Sequence, residues 1–266
     1  MPQSRYLIGR LPWYSVLIVA GICAAIALAT REEKRLGLPK DTVIDLALWV
    51  IPWGIIGARA YYVFFAWDTF KDDPVRILYI WQGGLAIYGA ILFGAGAAAV
   101  FSRRRHIRLT ALTDMVVPGL MLAQAIGRWG NFMNVEAYGS ATTLPWRMCG
   151  TSIAEYLLQS GYVDQAGYEA VLSGALGVHP TFFYESMWNL AGLFLVYQLG
   201  KRWRKYDGEC FLFYLCWYGL GRAWIEGLRT DSLYLFGTGI RVSQLLAFAS
   251  CAAALAVWAW MSWPDR

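Results

Sequence analysis

Seven blocks of apolar residues, each near the length that crosses a bilayer, divide this chain at roughly 12–30, 42–65, 83–101, 112–128, 181–200, 209–227 and 241–260. A spanning helix takes about 20 apolar residues, because in hydrocarbon every backbone N–H and C=O must be satisfied within the helix itself. Only 15% of the 266 residues are charged and 58% are hydrophobic, where a soluble domain carries about a quarter charged residues. The expected fold class is therefore an all-α polytopic membrane protein with seven transmembrane helices in one integral domain, 1–266.

The first block needs a decision of its own. "MPQSRYLIGRLPWYSVLIVAGICAAIALAT" has basic residues, an apolar run and an Ala-Leu-Ala triplet, as a secretory signal does. The run is near spanning length, however, and the basic stop "REEKRLGLPK" follows it, so a retained first helix is expected. Lys and Arg then orient the chain, since cytoplasmic loops concentrate them. Arg31, Lys34, Arg35 and Lys40 follow the first helix, Arg103, Arg104, Arg105 and Arg108 the third, and Lys201, Arg202, Arg204 and Lys205 the fifth, with Arg266 at the C-terminus. The other side holds only pairs such as Arg5 and Arg10, or Lys71 and Arg76. The N-terminus is thus expected outside and the C-terminus in the cytoplasm, with loops 66–82, 129–180 and 228–240 extracytoplasmic. The 129–180 stretch is too long for a plain connection. Helical spacing in "TSIAEYLLQSGY" and "DQAGYEAVLSGALG" predicts a small outer subdomain of short helices.

Several functions are excluded early. The net charge of +5 is accounted for by loop topology, and no basic patch interleaved with aromatics lies in a soluble segment, so nucleic acid is not an expected partner. Cys23, Cys210, Cys216 and Cys251 lie in apolar segments and only Cys149 in a long loop. They read as small buried hydrophobes, not as a disulfide framework. His106 and His179 are the only histidines and no Cys-X-X-Cys is present, so no metal site is expected.

Topology also assigns a depth to each awkward polar residue. Helices two, four and six run outward, and their outer ends carry Arg59, then Arg128 with Asn131, Asn134 and Glu136, then Arg222 with Glu226 and Arg229. Helices one, three and five run inward, and their first turns carry Tyr14, Tyr88 and the run "HPTFFYES" with His179, Tyr184 and Glu185. Ionisable groups at membrane depth are costly and mark functional sites by default. Each has a bland alternative. Arg59 could snorkel to the interface, Asp45 and Asp114 could be caps, and Glu136 could simply pair Arg128. Glu226 could be a rung of an ion-pair ladder with Arg222 and Arg229, and His179-Pro180 a plain helix start. Taken together, the four arginines outnumber the acids Glu136, Glu185 and Glu226, which calls for an anion. The abundant one in an outer leaflet is a phospholipid phosphate. Arginine's planar fork binds phosphate oxygens two at a time and never loses its proton. Asn131 and Asn134 can donate to the same oxygens, and Gly127, Gly130 and Gly139 permit close backbone approach. "GRWGNFMNVEAYG" thus reads as a phosphate-gripping bend at the end of helix four.

At these residues the sequence resembles the prolipoprotein diacylglyceryl transferase family. The signature matches at Gly127, Arg128, Gly130, Asn131, Phe132, Asn134, Glu136 and Gly139. Further similarity runs through "IWQGGLAIYGA" (80–90), "HPTFFYE" (179–185) and "YGLGRAWIEGLR" (218–229), with weaker matches in "GARAYYV" and Trp13-Tyr14. The resemblance implies transfer of a diacylglyceryl group from phosphatidylglycerol to the lipobox cysteine of a preprolipoprotein signal peptide. The expected products are a thioether and glycerol phosphate. It also implies a seven-helix fold with head (129–180) and arm (66–82) elements, no cofactor, and residence in the bacterial inner membrane. Many relatives carry a histidine on helix three that has been considered a general base, where this chain has Tyr88. A free phenol with pKa about 10 is a poor base for a thiol unless arginines depress it. Tyr88 thus stays a candidate catalytic residue beside two favoured alternatives, another group (His179 is the only imidazole on that side) or no fixed base. Arg128 and Arg222 are expected to stabilise the leaving phosphate, with Glu136 and Glu226 orienting them. Arg229, Asn131, Asn134, Gly139, Tyr14, Arg59 and His179 complete the expected substrate site. Two rivals differ in class: an anionic lipid or solute transporter using the same arginines, and a metal-dependent phosphotransferase. No inverted repeat supports the first, and the scattered acids do not suit the second.

Overall fold

The computed structural model describes residues 6–8, 11–230 and 241–262. Arg5, Arg10, Arg266 and most of the expected loop 228–240 lie outside the described residues. The described chain is helical almost throughout: α1 (Trp13–Arg35), α2 (Thr42–Phe65), α3 (Ile87–Arg105), α4 (Leu109–Asn134), α5 (Thr151–Gln159), α6 (Gln165–Leu172), α7 (Thr181–Gln198), α8 (Glu209–Leu228) and α9 (Val242–Met261). Two small antiparallel pairs accompany them, β1 (Tyr6–Ile8) with β2 (Leu11–Pro12) and β3 (Ala141–Thr142) with β4 (Gly177–Val178). By length and composition α1, α2, α4 and α9 can cross a membrane. The other long helices are less apolar for visible reasons. α3 ends on Arg103, Arg104 and Arg105, while α7 and α8 carry Glu185, Asn189, Arg222 and Glu226 within their spans.

The chain divides into two compact units, one Ala29–Met115 and the other formed by the start of α1 with everything from Val116 onward. In the first, α2 and α3 form an antiparallel hairpin whose axes approach at glycines. A Cβ on Gly89 would stand 2.1 Å from the Gly57 carbonyl oxygen, and one on Gly57 would stand 2.3 Å from Phe93 Cβ. Small residues at such a crossing let backbones touch, the usual way helices associate where burial from water offers nothing. Arg105 pairs with Asp45, and Arg104 lies over the Trp49 ring at 5.1 Å. At the start of α2, the buried Glu33 carboxylate accepts from the backbone N–H groups of Asp41 (3.2 Å) and Val43 (2.8 Å), satisfying donors a helix start leaves open.

Between α2 and α3 lie three short 3₁₀ turns, Trp67–Thr69, Pro74–Leu78 and Ile80–Gln82. Arg59 organises them. Its guanidinium donates to the carbonyls of Ile77 (2.8 Å), Gly83 (2.8 Å), Gly84 (2.9 Å) and Arg76 (2.6 Å), and it packs over the Phe70 ring. Four of the five N–H groups an arginine owns are thereby engaged, and the residue is buried. It neither snorkels nor pairs with a carboxylate.

In the second unit, α1 and α4 cross at Gly119, where a Cβ would stand 2.5 Å from the Ala25 carbonyl oxygen. α7 and α8 are locked by two indoles. Trp188 and Trp217 stack with centroids 4.3 Å apart, and each donates its Nε1–H to the other's carbonyl at 2.9 Å. Residues 138–178 gather a small core of their own from Tyr138, Ile153, Ala154, Leu157, Val171 and Val178, around α5, α6 and the β3–β4 pair. The bend expected in "GRWGNFMNVEAYG" falls in its second half, because α4 continues through "GRWGNFMN" to Asn134. The turn follows, at Val135 (φ 55°) and Ala137 (φ 56°), left-handed conformations that non-glycine residues rarely adopt.

Candidate functional site

The helical course of "GRWGNFMN" places Arg128, Asn131 and Asn134 three residues apart, on one stripe of α4. α7 begins after the His179-Pro180 pair and presents Glu185 on its second turn. The two helices are held in register beside these residues. Ser186 Oγ donates to the Ala125 carbonyl (3.0 Å), and Trp129 Nε1 donates to Ser186 Oγ (3.2 Å). Phe132 and Phe182 stack at 4.8 Å.

That register brings three arginines onto one carboxylate. Glu185 is 5% exposed. Its Oε2 lies 2.6 Å from Arg128 Nη2, while its Oε1 lies 3.2 Å from Arg222 Nη1 and 3.8 Å from Arg229 Nη1. Arg222 also meets Glu226 one turn along α8, Nη2 to Oε2 at 2.7 Å, so the ladder expected from spacing is present and tied into a larger cluster. Buried charges need opposite charges close by, and here guanidiniums and carboxylates from α4, α7 and the end of α8 supply that pairing for one another, although Glu226 Oε2 meets Arg222 without hydrogen-bond alignment.

The carboxylate that Arg128 meets is Glu185, not Glu136. Glu136 instead accepts from Asn131 Nδ2 (3.0 Å) and Asn134 Nδ2 (3.3 Å), so it orients the asparagines and each amide keeps a second N–H. Tyr14, on the first turn of α1, lays its ring on Gly130, where a Cβ would stand 2.7 Å from Cδ2. Gly139 is a backbone junction. Its N–H donates to the His179 carbonyl (2.9 Å), Ser140 N–H donates to Leu228 (2.7 Å), and a Cβ at 139 would stand 2.7 Å from His179 Cβ. It thereby ties the turn after α4 to the ends that carry His179 and Arg229, with which it forms a β-bridge. His179 pairs through Nδ1 with the Tyr184 hydroxyl (3.2 Å), which accepts from Trp146 Nε1 (2.8 Å). Burial lowers the imidazole's pKa below its ordinary 6.5, which favours the neutral ring.

Of the expected residues, then, Arg128, Arg222, Glu226 and Arg229 form one cluster, and Asn131, Asn134 and Glu136 form a second group on the same helix end. Arg59 and Tyr88 belong to the other unit. Arg59 clamps the 3₁₀ turns, and Tyr88 stands exposed beside Tyr61, ring centroids 6.3 Å apart. Reasoning from sequence counted Glu185 among the acids at this depth without giving it a partner, although it is the single acid in the apolar segment 181–200. Arginines on two neighbouring apolar segments need a carboxylate, and that requirement would have found it. Among the described residues no three His, Cys, Asp or Glu side chains gather as metal ligands.

Long apolar helices joined through small residues, with a part-buried arginine–carboxylate cluster drawn from three of them, define an all-helical membrane protein. The chain belongs to the prolipoprotein diacylglyceryl transferase family, whose model matches residues 6–260. It is similar to proteins named phosphatidylglycerol–prolipoprotein diacylglyceryl transferase. The one from Halalkalibacterium halodurans is 41% identical over 92% of this chain and 81% of its own length. That from Geobacillus kaustophilus is 42% identical over 92% and 86%, and that from Listeria innocua is 44% identical over 88% and 80%.

Proposed function

We propose that this chain transfers the diacylglyceryl group of phosphatidylglycerol to the thiol of a lipobox cysteine in a preprolipoprotein, the first step of lipoprotein lipidation. The observation that carries this reading is the Glu185 carboxylate ringed by Arg128, Arg222 and Arg229, a set of guanidiniums suited to a phosphate, within a family whose named relatives act on a phospholipid and a prolipoprotein. In this reading all seven long helices span the bacterial cytoplasmic membrane, N-terminus outside and C-terminus inside. The 129–180 stretch is an extracytoplasmic head and 66–82 an arm on the same side. The arginine distribution among the loops supports that orientation. The outer ends of α4 and α8 then open the cluster to the extracytoplasmic leaflet, where lipid and signal peptide meet.

The chemistry is a displacement. A cysteine thiolate attacks the glycerol carbon that bears the phosphate ester, the carbon–oxygen bond breaks, and its electron pair leaves on the oxygen of glycerol phosphate. The thiol proton passes to water. Nearby guanidiniums favour the thiolate, and the leaving phosphate needs charge neutralisation more than it needs a proton. Arg128 and Arg222 stabilise that developing charge, with Glu226 holding Arg222 in place, and Arg229 guides the product out. Asn131, Asn134 and Tyr14 position the headgroup, and Glu136 sets the asparagine amides. Apolar walls between helices hold the acyl chains. No cofactor enters these steps, and Tyr88 is not needed as a base.

The test is incubation of the purified chain with phosphatidylglycerol and a lipobox peptide, followed by mass measurement of the peptide. A mass gain of one diacylglyceryl group, insensitive to chelator, is expected. An unmodified peptide, with lipid or anion taken up by vesicles instead, would replace this reading with transport.

A further inference from the structure

We infer that Glu185 is the resident counter-anion of the arginine cluster, occupying in the substrate-free chain the place that a phosphate oxygen takes during turnover. The inference rests on the transferase reading above and goes beyond it, since it assigns a role to the one carboxylate that the expected site omitted.

Three features of the geometry point this way. First, Arg222 has two carboxylates. It donates to Glu185 Oε1 at 3.2 Å, and Glu226 Oε2 lies 2.7 Å from its Nη2 as an ion pair without hydrogen-bond alignment, so a counter-charge stays beside Arg222 when Oε1 is displaced. Second, the two carboxylate oxygens have different partners. Oε2 forms a 2.6 Å ion pair with Arg128, while Oε1 is shared between Arg222, which donates to it at 3.2 Å, and Arg229 at 3.8 Å. Third, the helix that carries the glutamate is fixed beside it, because Ser186 Oγ donates to the Ala125 carbonyl of α4 at 3.0 Å.

Part-buried guanidiniums short of counter-charge carry a desolvation penalty, so a cluster built to receive phosphate and to release it is served by a carboxylate that returns between turnovers. Glu185 is that carboxylate. A phosphate bound in two-point fashion must take the Nη groups of Arg222 and Arg229 from Oε1, while Arg128 keeps its bond to Oε2. On release, Oε1 returns and displaces the glycerol phosphate. Glu185 is thus a positioning residue: it touches no reacting atom, and it sets how tightly the anion is held and how quickly the product leaves.

The experiment uses the full chain in detergent with glycerol phosphate as the binding probe and phosphatidylglycerol plus a lipobox peptide as substrates. Glu185→Gln keeps the side chain's size and removes the competing charge. Its affinity for glycerol phosphate is expected to rise about fivefold, the scale of one part-exposed charge pair. KM for phosphatidylglycerol should fall in parallel and kcat should fall as product release slows. Glu185→Asp, whose carboxylate is withdrawn by one methylene but still charged, should recover most of kcat and bind glycerol phosphate only about twofold tighter than the wild type. A folded Glu185→Gln chain that binds glycerol phosphate equally or more weakly overturns the inference, because Glu185 would then be building the cradle. Where Glu185→Gln does not fold, the Asp variant decides by the direction of its affinity change, and failure of both to fold assigns Glu185 to the scaffold and equally overturns it. A wild-type chain that neither modifies the peptide nor binds glycerol phosphate sinks the transferase reading itself, whereas an active wild type with an untightened Gln variant sinks only this one.

Discussion

Arg59 and Arg128 show how little residue type alone decides. Both are arginines in the second half of a long apolar helix with a glycine close by, and sequence places them in one class. Arg59 donates to backbone carbonyls of the connecting turns, whereas Arg128 meets a side-chain carboxylate from another helix. Carbonyls carry no net charge to exchange for a phosphate. A carboxylate does, which is why the second arginine suits chemistry and the first suits architecture. Replacing Arg128 or Arg222 by alanine is expected to lower diacylglyceryl transfer by at least about 100-fold while the protein still inserts and accumulates, measured by peptide lipidation in membranes. Lysine should rescue little, since it lacks the planar fork. Tyr88→Phe is expected to keep more than about a tenth of wild-type transfer, because losing a general base costs about 100-fold or more and the proposed displacement uses no fixed base at that position. A complete loss in the same assay would return a base role to that hydroxyl.

At the scale of elements, apolar length marked where the long helices lie but not how far they run. α1 extends through the charged "REEKR", and α4 through "GRWGNFMN". Polar residues end an apolar stretch without ending a helix, because helix termination depends on caps and backbone conformation, here the left-handed Val135. The α7–α8 contact was not legible at all. Nothing in the spacing of Trp188, Gly192, Trp217 and Gly221 announces that each indole lies against the other helix's glycine, where a Cβ would meet the ring at 2.3 Å on Gly192 and 2.2 Å on Gly221. This contact sits below Glu185 and Arg222 on the same two helices and sets their register. Gly192→Val should therefore destabilise the chain by about 1–3 kcal/mol, read as a lower melting temperature by tryptophan fluorescence in detergent. Transfer activity should fall further than that loss of stability explains, because the Glu185–Arg222 contact shifts with the helices.

For the whole molecule, the proposed orientation puts positions 71 and 160 on one side of the membrane and positions 104 and 201 on the other. All four side chains are exposed. In a background with the native cysteines replaced, Lys71→Cys and Ser160→Cys are expected to react with an impermeant thiol reagent added outside intact cells. Arg104→Cys and Lys201→Cys should react only after permeabilisation. Labelling of 160 and 201 from the same side would overturn the orientation and with it the placement of the arginine cluster at the outer leaflet.

What the amino-acid sequence determined by itself was class and inventory: long apolar segments, a helical membrane protein, arginines and asparagines in a signature shared with a transferase family. These are properties of composition, length and short-range pattern, and the physics behind them is local, the need of each segment to satisfy its own backbone. What only the tertiary structure decided was pairing. Which carboxylate Arg128 meets, that Glu136 serves the asparagines, that Gly139 joins three strands of backbone and that Arg59 is a clamp all depend on how helices distant in sequence are rotated and shifted against one another. That register is set by glycine contacts and by one pair of tryptophans, interactions between segments that no single segment contains.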